Sequence, residues 1–248
     1  MKKVPVILAL IAVAIVAYSM ANYTDSFTAI KPSSNITTET RKVSDFDKIE
    51  VEGVFQVDVT YSSNEKIEIE APENLHQHIE LTVKSGTLHV EMKKRTKVNS
   101  PHSIKVHIST AKLNGFELSG AYSVHLNNQL KDNNLNMESS GAAYFEGDVN
   151  VREAELELSG AANVRLSGMA TDANIELSGA SHVKDYAFEV DNLDVELSGA
   201  SSVKITTLKR LEGDVSGASS LRYDGNPGVK NIATCLLYTS DAADEHSW

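Results

Sequence analysis

Six carboxylates recur at nearly regular spacing in the second half of the chain: Glu117, Glu138, Glu157, Glu176, Glu196 and Asp214. Carboxylates side by side are hard oxygen donors for a divalent cation, whereas carboxylates in unlike surroundings can divide into a general acid and a general base. Uniform spacing speaks for the first chemistry, a stripe that would hold calcium weakly, because no Asp-rich loop is present to complete a coordination shell. Eight residues after each acid stands a second series, His125, Glu146, Arg165, Lys184, Lys204 and Arg222, which is mostly basic. The plainer reading of both series is solvated charge that keeps two faces soluble and unaggregated, and it is the preferred one.

Other candidates are sparse. His76 and His78, with Glu80 beyond them, would share one side of an extended segment, although a scattered surface pair is the simpler account. Tyr122 and Tyr144 are the main aromatics that could stack on a sugar. The chain has no His-Glu-x-x-His, no Gly-x-Ser-x-Gly elbow and no phosphate-cradling Gly loop. No catalytic set is assigned, and the chain is expected not to be an enzyme and to need no cofactor.

The elements that carry these residues are set by an internal repeat. Ser-Gly-Ala begins at Ser119, Ser140, Ser159, Ser178, Ser198 and Ser216, at intervals of 18 to 21 residues. Three residues before each Ser stand Phe116, Met137, Leu156, Ile175, Val195 and Gly213. One before it come Leu118, Ser139, Leu158, Leu177, Leu197 and Val215, and five after it Val124, Phe145, Val164, Val183, Val203 and Leu221. Apolar residues at every second position mark a pleated ribbon with one face inside, so each repeat predicts two short strands joined at a bend. A Gly at the same place in every copy suits a corner that needs positive φ or close approach between coils. The small Ala fits inside the corner, and the Ser can bond backbone groups that a turn leaves free. Copies in register with matching apolar columns predict stacked coils. The fold class is all-β: a single-stranded parallel β-helix, or β-solenoid, of 18 to 21 residues per coil. It is expected to be right-handed, because parallel crossovers almost always are.

Upstream, Ile49, Val51, Phe55, Val57, Val59 and Tyr61 alternate, with Gly53 in phase where the strand could bend. Similar alternation follows at Ile67 and Ile69, at Leu88, Val90 and Met92, and at Ile104, Val106 and Ile108. Lys84-Ser85-Gly86-Thr87 reads as a hairpin turn, and only 73–79 could make a helical turn or two. Residues 43–112 are therefore expected to form N-terminal β-rich coils that lead into repeat coils over 113–234.

The termini give the address. Lys2 and Lys3 precede an apolar run from Val4 to Tyr18, and Ser19-Met20-Ala21 supplies a cleavage site, so residues 1–21 read as a secretory signal peptide. An uncleaved anchor is the alternative, and it would be the chain's only contact with membrane. Residues 22–42, rich in Ser and Thr, read as a tether. The string CLLYTSDAADE from Cys235 to Glu245 resembles a translated adaptor of a sequencing library, so 235–248 is read as appended and the last repeat as truncated. The single Cys and single Trp fall inside 235–248, leaving no thiol chemistry. Without its three acids the formal charge moves from −11 to −8, and loss of Lys2 and Lys3 makes it −10. An acidic chain of this kind argues against nucleic acid or anionic membrane as partner.

FDKIEVEGVFQVDVT, EAPENL, SGTLHVEM, the ELSGASSVKI repeat and LRYDGNPGVK together resemble the head GIN domain family, described as auto-transporter adhesins, over about residues 43–231. The resemblance implies a β-helical fold and a periplasmic, outer-membrane-associated or extracellular place. It also implies a further Ser-Gly-Ala copy after Gly-Asn-Pro, and it brings no catalytic residues. The expected function is an exported, non-catalytic module for adhesion or ligand binding at the cell surface or in the periplasm. Its partner would be an extracellular or envelope glycan or protein. A carbohydrate-active β-helix enzyme and a passive spacer are the alternatives. A ligand is expected to touch the connections of variable length, 127–134 and 186–192, since insertions in solenoids gather on one face.

Overall fold

The computed structural model describes residues 28–94, 96–98 and 104–236, so the segment read as a signal peptide and most of the string read as appended lie outside it. Thr28–Ile30 and Thr96–Val98 pair with each other, and the remaining strands join one continuous 17-stranded sheet wound on itself. The helical turn expected near residue 73 is a 3-10 helix, Glu73–His78.

From the strand Gly115–Leu126 onward, each coil pairs in parallel with the one before it, and the pairing register is the repeat register. Glu117 lies beside Glu138, then Glu157, Glu176, Glu196 and Asp214 in succession. The length of one repeat is thus the length of one coil. The apolar columns close on a common interior, with Phe116, Phe145, Ile175 and Val195 fully buried and the Phe116 and Phe145 rings edge to face at 5.0 Å. Two exceptions in those columns have local causes. A Cβ at Gly213 would lie 2.0 Å from the Val195 carbonyl oxygen, so the coils approach too closely there for a side chain. Ser139 is buried because its hydroxyl meets the Tyr122 hydroxyl at 2.9 Å.

The N-terminal half departs from simple stacking. Lys48–Gly53 and Phe55–Tyr61 form one parallel layer with Gly115–Leu126 on one side. Thr87–Met92 and Ile104–Thr110 pair with them on the other. The chain therefore lays down an inner layer at 48–61, runs outward to build the end of the solenoid, and returns at 115 to continue the stack. That end is closed by antiparallel strands: Lys66–Pro72 on Ile104–Thr110, Ile36–Arg41 on Lys66–Pro72, and Ile79–Lys84 on Thr87–Met92. The hairpin turn at 84–87 is present, with Ser85 and Gly86 both at positive φ.

Two expectations change accordingly. Residues 43–112 are not coils in chain order but two parallel layers and an antiparallel cap. Part of the segment read as a tether is folded, since Ile36–Arg41 is the cap's outer strand. It is Thr-rich, which suits a strand, and mostly exposed, which leaves no apolar period to reveal it. Asn74 pins its approach by accepting the Ser33 amide at 2.9 Å and donating to the Lys31 carbonyl at 3.0 Å. At the far end, Val229–Leu236 pairs with the preceding coil through Cys235 and Leu236, the first two residues of the string read as appended. Ladder bonds come from backbone, so such pairing is indifferent to where those two side chains originate.

Candidate functional site

The Ser-Gly-Ala corner is built from backbone contacts. Gly179 has φ of +71°, and a Cβ there would sit 2.6 Å from the Gly160 carbonyl oxygen. That same oxygen accepts the Ala180 amide at 2.8 Å. Positive φ and close approach therefore coincide, and only Gly satisfies both. The serines bind backward as well: Ser159 Oγ donates to the Ser139 carbonyl at 3.1 Å and Ser216 Oγ to the Leu197 carbonyl at 3.1 Å. Their hydroxyls bridge coils, which is a structural duty and not that of a nucleophile.

Along the outside of this corner runs a groove of about 550 Å³, walled by the six carboxylates and the repeat serines with Leu118, Leu158, Leu177 and Leu197 at its floor. The structure adds a seventh carboxylate, Glu50, in register with Glu117, and a seventh corner glycine, Gly53, in register with Gly120. The sequence placed a bend at Gly53 but did not join it or Glu50 to the repeat, because Glu52-Gly53-Val54 is not Ser-Gly-Ala. The signal was present in Glu50-Val51-Glu52-Gly53, which places acid, apolar residue and Gly as all repeats but the second do. At the outer end His89 Nδ1 meets Glu50 Oε2 at 2.7 Å, which gives the ladder a partner in its last position.

Elsewhere the carboxylates face one another. The Glu157 carboxyl is held above its ordinary value, first by loss of water around it and then by the charges of Glu176, Glu138 and Glu155. Among the described residues no three His, Cys, Asp or Glu side chains converge on one point. The ladder therefore offers a cation neighbouring carboxylates and water only.

The basic series lies on the next outward face and divides in two. At its N-terminal end acids and imidazoles alternate: Asp58 meets His107 at 3.2 Å, and Glu146 meets His125 at 3.9 Å and Arg165 at 3.7 Å. Beyond Glu146 come only cations, Arg165, Lys184, Lys204 and Arg222, one per coil.

The remaining candidates fall elsewhere. His76 is not on the surface: it is 3 % exposed inside the 3-10 helix, with Nε2 at 3.0 Å from Thr37 Oγ1. The helical turn replaces the extended segment that would have aligned it with His78. Tyr122 is buried, not available for stacking, and burial pushes its phenol up to about 12 against the opposing effect of the Ser139 hydrogen bond. Tyr144 is exposed, with its hydroxyl donating to Glu146 at 2.8 Å. In the connections, polar side chains hold neighbouring coils together. Asn128 brackets Tyr61, accepting its amide and donating to its carbonyl, both at 2.9 Å, and Asn192 donates to Asp172 at 2.8 Å.

A stack of short parallel coils, capped at one end and bearing charge ladders outside a filled interior, defines a β-solenoid. The chain belongs to the family described as "Putative auto-transporter adhesin, head GIN domain", whose profile matches residues 45–227. The crystal structure of a protein described as a putative adhesin from Bacteroides fragilis is similar at 25% identity and TM-score 0.81, covering 84% of this chain and 97% of that one. A putative adhesin from Parabacteroides merdae shares the fold at 20% identity and TM-score 0.66, covering 84% and 97%. A protein from Parabacteroides distasonis described as a putative lipid binding protein does so at 18% identity and TM-score 0.66, with the same coverage of 84% and 97%. No curated protein matches the chain.

Proposed function

We propose that this chain is an exported, non-catalytic binding module of the adhesin type, which holds an extended envelope or extracellular ligand, glycan or protein, along the corner groove. The observation that carries this reading is continuity. A carboxylate recurs in seven successive layers, roughly 30 Å or six interstrand steps, with a repeat serine beside all but the first. A linear polymer or an extended segment matches such a surface better than a compact small molecule does.

Against an enzyme stands the sameness of the ladder. Acid-base catalysis needs two groups whose surroundings push their proton affinities apart. Here each carboxylate from Glu117 to Glu196 has a carboxylate on either side. A passive spacer would have no need of a groove. An acyl ligand, as the description of the Parabacteroides distasonis protein would suggest, finds polar walls here and an interior filled by side chains. The carboxylate pairs are also where calcium would be held, weakly, as a bridge to an acidic or hydroxyl-rich partner.

The test is a screen of the protein against glycan and extracellular-protein arrays, repeated with Glu157→Gln, Glu176→Gln, Glu196→Gln and with residues 127–134 replaced by a Gly-Ser linker. Binding lost in the triple variant and kept in the linker variant supports the groove. The reverse pattern places the ligand on the connections, beside the open hollow of about 470 Å³ near Lys131, Asp132 and Asn133.

A further inference from the structure

We propose that the second outward face is a separate binding strip for an anionic polysaccharide, one bearing a carboxylate or sulfate on each sugar. Two ladders lie side by side there. The first is Arg165, Lys184, Lys204 and Arg222, adjacent from coil to coil, of which Lys204 is half-buried and the others exposed. Among the described residues no carboxylate forms an ion pair with Lys184, Lys204 or Arg222, and Lys184 instead donates to Asn163 Oδ1 at 2.7 Å. The second ladder, two residues earlier on the same strands and so on the same face, is Tyr144, Asn163, His182, Ser202 and Ser220.

The chemistry of both ladders points to charged sugar. Cations one interstrand step apart, about 4.8 Å, meet an extended glycan whose charges recur once per sugar at a similar rise. Asn, His and Ser side chains both donate and accept, as sugar hydroxyls require. His182 Nδ1 and Ser202 Oγ already lie 2.8 Å apart, so the row is connected before any ligand arrives. Tyr144 offers one exposed ring at the end of the row. Single-stranded nucleic acid would ask for a series of aromatic faces, and its phosphates lie further apart. The acids nearby are few. Glu146 closes the ladder beside Arg165, Asp148 accepts from Gln129 at 2.8 Å, Asp185 accepts the Ala187 amide at 3.2 Å, and Asp224 follows Arg222 by two residues. Seven carboxylates, from Glu50 to Asp214, lie instead on the groove face, across the corner.

This inference goes beyond the groove reading and fails separately from it. The test is isothermal titration of the full chain with hexameric polygalacturonate, beside neutral cellohexaose and a single-stranded oligonucleotide of equal charge. Polygalacturonate should bind, and three neutralised cations should weaken it about ten- to twentyfold between 50 and 200 mM salt. Lys184→Gln with Lys204→Gln should lower the affinity and reduce the slope of log K against log salt by up to about 0.7 per cation removed, with an unchanged circular dichroism spectrum. Glu157→Gln, Glu176→Gln, Glu196→Gln should leave this binding intact. The proposal is overturned if polygalacturonate does not bind at 50 mM salt, if cellohexaose or the oligonucleotide binds as tightly, or if the Lys variant keeps the full salt slope.

Discussion

The two halves of this solenoid solve the same problem by different means. In the repeat half each parallel coil is buried by the coil before it and the coil after it, and recurring Ser-Gly-Ala corners keep the layers in register. In the cap half three strands run antiparallel and close the first layers from outside, with Ile36–Arg41 as the outermost. A stack of coils leaves an open edge at either end, and an open edge is a template for another chain. Repetition therefore builds the length of the molecule, and departure from repetition ends it.

The corner glycines sharpen that contrast most. Gly179 and Gly86 both have positive φ, +71° and +84°, but their surroundings differ. In the coil a Cβ at 179 meets backbone at 2.6 Å, whereas in the cap hairpin a Cβ at 86 meets only Asp47 Oδ1, at 3.3 Å, on a side chain that can turn away. Gly179→Val should cost more than about 3 kcal/mol, combining backbone strain with a clash that two coils would have to relieve. Gly86→Ala should cost about 1–2 kcal/mol, from the left-handed conformation alone. Urea unfolding of both measures the difference, and equal costs would show that coil contact adds nothing to the strain.

The cap is tested by removing its outer strand. Deletion of residues 1–42 takes away Ile36–Arg41 and with it the contacts of Thr37 to His76 and of Ser33 to Asn74. A few buried or half-buried hydrogen bonds at about 1 kcal/mol each put the loss near 2 kcal/mol. The bared edge of Lys66–Pro72 should also drive self-association, visible in sedimentation. A monomer of unchanged stability would make this strand a bystander and leave the closure to Lys66–Pro72.

Legibility in the sequence followed the same division. The repeat half could be read because period, apolar columns and corner glycines all point to one register, and the six carboxylates emerge in that register. The cap half resisted because its partners are far apart in the chain: Ile36 pairs with Pro72, and Phe116 with Ile49. Alternation announces a strand but not its neighbour, and an exposed Thr-rich edge does not announce even the strand. Tyr122 and His76 were misplaced for a related reason, since each is buried by partners, Ser139 and Thr37, that no local pattern connects to it. The pairing of a cation ladder with a row of Asn, His and Ser needed the strand register before it could be seen.

The smallest expected effect concerns the ladder itself. Glu157 lies between Glu138 and Glu176 in the repeat half, and its counterpart in the cap is Glu91, between Glu52 and Glu80. Loss of water and then Glu176 and Glu138, with Glu155, hold the Glu157 carboxyl above the ordinary 4.5. The folded chain therefore takes up this proton at a higher pH than the unfolded chain does. Stability should rise as pH falls through the folded value, the gain should be complete below 4.5, and it should be lost again as pH rises. Like charges one interstrand step apart repel by roughly 0.9 kcal/mol in bulk water, and exposure to solvent and salt reduces what survives. Glu157→Gln should then stabilise the protein at pH 7 by a few tenths of a kcal/mol and flatten the rise in stability toward acid, leaving other carboxylates to titrate as before. Calcium should raise the melting temperature of the native sequence more than sodium at matched ionic strength, and less so in the variant, because one carboxylate of each neighbouring pair is gone. Thermal unfolding at pH 7 and pH 5, with and without calcium, measures all of these. If Glu157→Gln is destabilising at pH 7 and its loss is restored by no change of pH or salt, the ladder is held together by something other than tolerated repulsion, and the groove is not the open, solvated surface described above.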